Sequence, residues 1–308
     1  MHMPDTMAAP LFDIAKGATS RPSILRRALG FARQRHWVFS AGAVMFATVL
    51  LLLCTAHWLA PYDPASQSLL QRLQGPSSRH WLGTDHLGRD QLSRLLVGGH
   101  FAIIIAAVTL VLSAVTGTVI GVISARQGGL VDEITMRIVD LLISFPDVVV
   151  AIFLIALMGP GYGTLIVALT VVSWTPFARL ARGLAIEINA KSYIRAAEIL
   201  GCSRRFIILR HIIPNAIRPL AAMGFLRFGH KLITVGGLSF IGLGVQPPHA
   251  DWAAMMASSQ PYLERAPLLV ICPGLAIFLT ALSVTWIGQG LETKRNLETK
   301  RKTAGEQA

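Results

Sequence analysis

Ionisable side chains inside long apolar runs are the residues of this chain placed to do chemistry. Charge at membrane depth is expensive and is kept where it faces a protein interior or a water-filled path. Asp147 follows Pro146, where a helix is expected to kink, and Arg227, His230 and Lys231 sit together on a later apolar run. Arg227 and Lys231 are four apart and share a helix face, so they repel unless they meet water or acids; Asp140 and Asp147 are the acids on offer. These four, Asp147, Arg227, His230 and Lys231, are the candidate lining of a pathway, although a lone histidine such as His230 is more often simply packed. Arg137 and Asp140, three apart, are expected to pair structurally near an interface.

A second polar group lies between the first two apolar runs: His80, Asp85, His86, Arg89 and Asp90. A metal could be imagined there, but a tight turn is the preferred reading, with Asp85, Arg89 and Asp90 pairing and Gly83 and Gly88 supplying the turns. No metal site is expected. An intramembrane enzyme would need two facing acids, and Asp140 and Asp147 lie seven apart on one run. The chain has no Gly-x-x-x-x-Gly-Lys-Ser/Thr loop to cradle phosphates, so ATP hydrolysis is not expected here. Cys54, Cys202 and Cys272 lack metal-ligand spacing and imply no disulfide framework.

These residues must be positioned by membrane helices. Apolar residues make up 53% of the 308 and charged residues only 14%, far below the roughly 25% charge of soluble domains. An all-α polytopic membrane protein follows, with six spans expected at about 37–60, 101–124, 134–158, 164–180, 219–243 and 268–288. Trp37 and Trp58 mark the ends of the first span as interfacial aromatics, and Gly117 and Gly121 give the second a close-packing face. Apolar residues 238–245 and the Asp251-Trp252 pair read as a re-entrant piece. The net charge of +12 does not signal nucleic acid, because the basic residues gather between spans. Of the 28 Lys and Arg, 21 fall on the side that holds both termini and 5 on the other. The positive-inside rule therefore places residues 1–36 and 291–308 in the cytoplasm. The basic tail carries Lys16, Arg21, Arg26, Arg27, Arg33 and Arg35; the C-terminal tail repeats Leu-Glu-Thr-Lys-Arg and reads as a solvated helix.

The longest polar interlude, residues 193–219, reads as a structure to be gripped by another protein. Ile194, Ala197, Ile199 and Leu200 give a short apolar stripe, and the small Ala196 and Ala197 permit close approach. Gly201 is the expected stop. A second amphipathic piece, Phe206 to Ile213, runs into Pro214, suited to the first turn of a new helix.

This stretch resembles the EAA loop of permease subunits in bacterial ABC importers. Ala196, Ala197, Gly201, Ile213 and Pro214 fall in register, with Arg195 in the acid's place. Leu82-Gly83-Thr84-Asp85 with Gly88-Arg89-Asp90, and Ser239-Phe240-Ile241-Gly242-Leu243-Gly244, resemble signatures of C-type subunits in the dipeptide, oligopeptide and nickel branch. The resemblance covers about 37–290 and implies a type I importer fold with a permease domain over 99–290, preceded by a first helix and periplasmic segment over 37–98. It implies a coupling helix at 193–206, with Tyr193, Arg195, Ala196, Ala197, Glu198, Gly201, Arg204, Arg205 and Pro214 meeting the ATPase. It also implies a heterodimer with a second permease, two ATPases that bind ATP and magnesium, a periplasmic or lipid-anchored solute-binding protein, and a multi-pass place in the bacterial inner membrane. This chain itself would hold no cofactor. Peptide cargo is favoured; nickel chelates, to which His86 and Gly229-His230 lean, are the alternative.

Overall fold

The computed structural model describes the backbone of residues 24–306 other than Val245 and Pro247, and the side chains of 37–292 with the same exceptions. The basic residues of the N-terminal tail, the repeated side chains of the C-terminal tail and Pro247 lie outside the described side chains.

Every regular element described is helical. In chain order they are α1 (Ile24–Cys54), α2 (Ala56–Leu59), α3 (Gln91–Gln127), α4 (Gly129–Ser144), α5 (Asp147–Met158) and α6 (Tyr162–Ser173), followed by α7 (Thr175–Asn189), α8 (Ser192–Ile199), α9 (Arg204–Ile207), α10 (Ile213–Phe240), α11 (Trp252–Ser259) and α12 (Leu268–Glu306). A bilayer offers no water to backbone amides, so helices that close their own hydrogen bonds are the expected solution.

Six straight crossings are not what these helices give. Among the described residues four helical stretches are long and apolar enough to span a membrane: Trp37–Cys54, Gln91–Gln127, Tyr162–Asn189 and Leu268–Glu292. The expected third span is broken: α4 and α5 meet at 89° and make at most a fifth crossing. The cause is local. Pro146 has no N–H to continue the helix and pushes Phe145 to extended angles (φ −96°, ψ 140°). α10 has 28 residues, about 42 Å at 1.5 Å per residue, but Arg227, His230 and Lys231 make it too polar to count with the four. The expected fourth span is longer than its apolar core and reaches Asn189.

The centre of the fold is the seam between α3 and α7. Gly117 and Gly121 form it: an added Cβ would lie 2.3 Å from the Trp174 carbonyl oxygen and 2.2 Å from that of Ala178. The two backbones touch where side chains would otherwise hold them apart. At the other end of α3, Gly99 lies under Trp252 of α11, whose indole N–H donates to the Leu95 carbonyl at 2.7 Å. α11, capped by Asp251, is thereby folded against α3.

Candidate functional site

The interlude between α7 and α10 forms a knuckle. α8 ends where Gly201 adopts φ +80°, with Cys202 N–H donating to the Ala197 carbonyl and Gly201 N–H to that of Glu198, both at 3.0 Å. This is the 6→1 and 5→2 pair of a Schellman stop, which favours glycine at the left-handed position. Ser203 then caps α9, its hydroxyl accepting from Phe206 N–H at 3.2 Å. The stop expected at Gly201 is therefore present, and the segment 193–206 is two helical pieces with a turn between them. Pro214 stands in the first turn of α10 as expected, although α9 runs into that helix through a π-helical turn, Ile208–Ile212. Ile213 N–H reaches back to Ile208, and the wider turn admits a proline that an unbroken α-helix would resist.

Polarity is inverted in this knuckle. In α8 only Ile194 is buried, inserted among Ile188, Ile207 and Ile212. Ile199 is 86% exposed and Leu200 82%, with Tyr193, Phe206 and Leu209 also exposed beside Arg195, Arg204 and Arg205. Ala196 and Pro214 are open to solvent and Ala197 is half-buried. An exposed apolar cluster rimmed by charge marks an interaction surface. Glu198 also reaches inward: it accepts from Arg126 Nη1 at 2.8 Å, and the same nitrogen donates to Asn189 Oδ1 at 3.1 Å. Arg126 lies in the last turn of α3, so this contact ties the knuckle to the central seam. Sequence reasoning missed it because the partners are 72 positions apart.

Three of the four candidate pathway residues meet, at the carboxylate of Asp147. Asp147 opens α5 at the corner of the bent pair, where the helix N-terminus favours a carboxylate. Lys231 Nζ lies 3.5 Å from Asp147 Oδ2 and His230 Nε2 3.8 Å from the same oxygen. Lys231 is buried, but His230 has an exposed side chain, so its reading as a packed histidine is corrected. Arg227 is half-buried and has no hydrogen-bond or ion-pair partner among the described residues. Asp140, the other acid offered to these cations, belongs elsewhere: Arg179 of α7 pairs with it. Arg137 accordingly reaches Glu133 at 3.9 Å rather than Asp140. The same face of α7 holds α4 through Arg182, which grips Asp132 with Nε at 2.6 Å and Nη2 at 2.5 Å. A forked guanidinium matches a carboxylate better than the intrahelical geometry does.

Comparison with known proteins decides the family. Residues 117–296 match the family described as "Binding-protein-dependent transport system inner membrane component". The glutathione transport system permease protein GsiD of Pectobacterium atrosepticum is 38% identical over 265 residues, covering 85% of this chain and 86% of that protein. The nickel transport system permease protein NikC of Escherichia coli K12 is 32% identical over 263 residues, covering 85% and 95%. The probable D,D-dipeptide transport system permease protein DdpC of the same strain is 37% identical over 249 residues, covering 81% and 84%.

The chain belongs to this permease family of ABC importers.

Its relatives are named as permease proteins of transport systems. In this permease the segment before α3 is the best-bonded part outside the spans. Arg89 Nε lies 2.6 Å from Asp85 Oδ2, and Asp85 Oδ1 accepts from the backbone N–H of Leu87 and of Arg89 at 2.8 and 2.9 Å. Asp90 does not join that pair. Its Oδ1 meets His80 Nδ1 at 2.9 Å and its Oδ2 caps α3 through Ser93 N–H at 2.8 Å. His86 stacks on Tyr262, centroids 5.6 Å apart, and burial pushes its pKa down, Arg89, Arg94 and Arg72 adding to the shift and Asp85 opposing it. His80 and the acids are thus engaged in turn and cap, while His86 Nδ1 is buried without a hydrogen-bond partner, and among the described residues no group of three His, Cys, Asp or Glu is set to hold a metal.

Proposed function

We propose that this permease carries di- and oligopeptides across the bacterial inner membrane. It would work beside a second permease, two ATPases that bind ATP and magnesium, and a solute-binding protein, and would itself hold no cofactor. The observation that carries the mechanism is the knuckle, whose apolar side chains Ile199 and Leu200 are held out while Ile194 alone anchors α8. On this reading Tyr193, Arg195, Ala196, Ala197, Gly201, Arg204, Arg205 and Pro214 meet a cleft of the ATPase. Glu198 takes the resulting displacement to α3 through Arg126. Closure of the ATPase pair then rocks the helices between inward- and outward-facing states. Six crossings, counting the bent pair and α10, put both termini in the cytoplasm, in keeping with the excess of Lys and Arg on that side. Asp147, Arg227, His230 and Lys231 line the pathway, because ionisable side chains at membrane depth must face water or protein.

Peptide cargo draws support from the relatives named for glutathione and D,D-dipeptides; the relative named for nickel keeps the second reading in view. The test is uptake in a strain lacking this gene, with and without its restoration, using a labelled short peptide, labelled glutathione and labelled nickel. Restored peptide or glutathione uptake alone supports the reading, and restored nickel uptake alone overturns the cargo. Gly201→Asp, which puts a side chain at φ +80°, should insert normally yet carry nothing. Normal uptake by that variant would remove the docking assignment.

A further inference from the structure

We infer that the corner where the start of α5 meets α10 is a net-cationic station that takes an anionic group of the cargo, a peptide carboxylate being the chemical class that fits. The inference rests on the reading of these residues as pathway lining. Two basic side chains, Arg227 and Lys231, share this corner with one carboxylate, Asp147, and His230 adds a third positive charge when protonated. Asp140, the nearest other acid in sequence, is taken by Arg179. The single contact from Lys231 to Asp147 is long, at 3.5 Å, and leaves a buried ammonium poorly compensated.

Arg227 is the decisive residue. Its guanidinium offers five N–H donors in a planar fork that matches a carboxylate, and none of them has a partner among the described residues. An unpaired guanidinium within a membrane helix is costly and is retained where an anion arrives to pair with it. His230 and, in part, Asp147 are open to solvent, so an arriving group can reach the station. A bare divalent cation would meet repulsion here, whereas a peptide would present its carboxylate to Arg227 and its ammonium to Asp147. The station therefore favours peptides over free nickel ions without reference to any binding protein.

The sign of the local potential is measured directly by cysteine reactivity in the assembled importer in membranes. In a background where Cys54, Cys202 and Cys272 are replaced, His230→Cys is treated with two methanethiosulfonates, one carrying a sulfonate and one a trimethylammonium. In each case the thiolate attacks the thiosulfonate sulfur, forms a mixed disulfide and releases methanesulfinate. The thiolate fraction cancels in the ratio of rates. Normalised to their rates with a free thiol in solution, the sulfonate reagent is expected to be favoured on the order of a thousandfold, because one net unit charge at about 7 Å and an effective dielectric of about 20 acts on the two reagents with opposite sign. Arg227→Gln should bring the normalised ratio near one while Arg227→Lys preserves it. Equal normalised rates, or a faster trimethylammonium reagent, overturn the inference while leaving the pathway reading intact. That result would mean that an acid of the partner permease neutralises the corner. No reaction with either reagent overturns the pathway reading and the inference with it. Should His230→Cys fail to assemble, Ile233→Cys, exposed on the same helix, replaces it.

Discussion

The segment before α3 and the knuckle between α7 and α10 are both polar interludes with glycines at positive φ, yet they are built in opposite ways. In the first, Asp85, Arg89, Asp90 and His80 are buried and satisfy one another. In the second, charges and large apolar side chains face out together and α8 is anchored by one isoleucine, Ile194. Buried charge that is fully paired specifies its own shape, whereas exposed apolar surface is completed by another molecule. One segment is finished within this chain; the other is half of an interface.

The difference predicts contrasting responses to mutation. Asp85→Asn should be the most damaging change, because it leaves Arg89 buried without its partner, a loss on the order of 3–5 kcal/mol. It should show as a collapse in the yield of monodisperse permease in detergent; an unchanged yield would mean the outer turn is not a folding unit. Ile199→Asp with Leu200→Asp should leave that yield unchanged, since surface substitutions shift stability by roughly 0.5 kcal/mol or less. The pair should nevertheless reduce ATPase co-purification more than about thirtyfold, the loss of a hot spot of about 2 kcal/mol. Retained co-purification would move the docking surface elsewhere.

A smaller effect sharpens the boundary between the two kinds of segment. Arg126→Glu or Glu198→Arg alone should lower ATP-driven uptake severalfold with assembly intact, and the double exchange should restore most of it. Failure of the exchange to restore uptake would make the bridge a passive brace. The smallest effect is a pH dependence at His86, whose folded pKa is depressed by burial. Below its unfolded value of about 6.5 the unfolded chain binds more protons than the folded one, so stability falls as pH drops from above that value towards the folded pKa. Thermal unfolding at pH 7.5 and 5.5 should show a larger loss for the native chain than for His86→Phe. Equal losses would detach His86 from the stability of the outer turn.

Much of this was legible in the residue order. The apolar runs announced membrane helices, Gly201 its stop, Gly117 and Gly121 their seam, and the spacing of small pair, glycine and proline the importer resemblance. These signals are local: each depends on hydropathy over one run or on the backbone freedom of one residue, and needs no knowledge of neighbours. Partner choice was not legible in that way. Spacing joined Arg137 to Asp140, but α7 delivered Arg179; spacing offered Asp90 to Arg89, but His80 and the α3 cap claimed it. Arg126 and Glu198 had no visible connection until α3 and α8 were brought together. A charge takes whichever partner lies nearest in space with the right geometry, and distance in space is set by packing. The sequence by itself determined which segments are apolar enough for a membrane and where α8 stops. The tertiary structure alone decided which charges are spent within the chain and which, like Arg227, are left open.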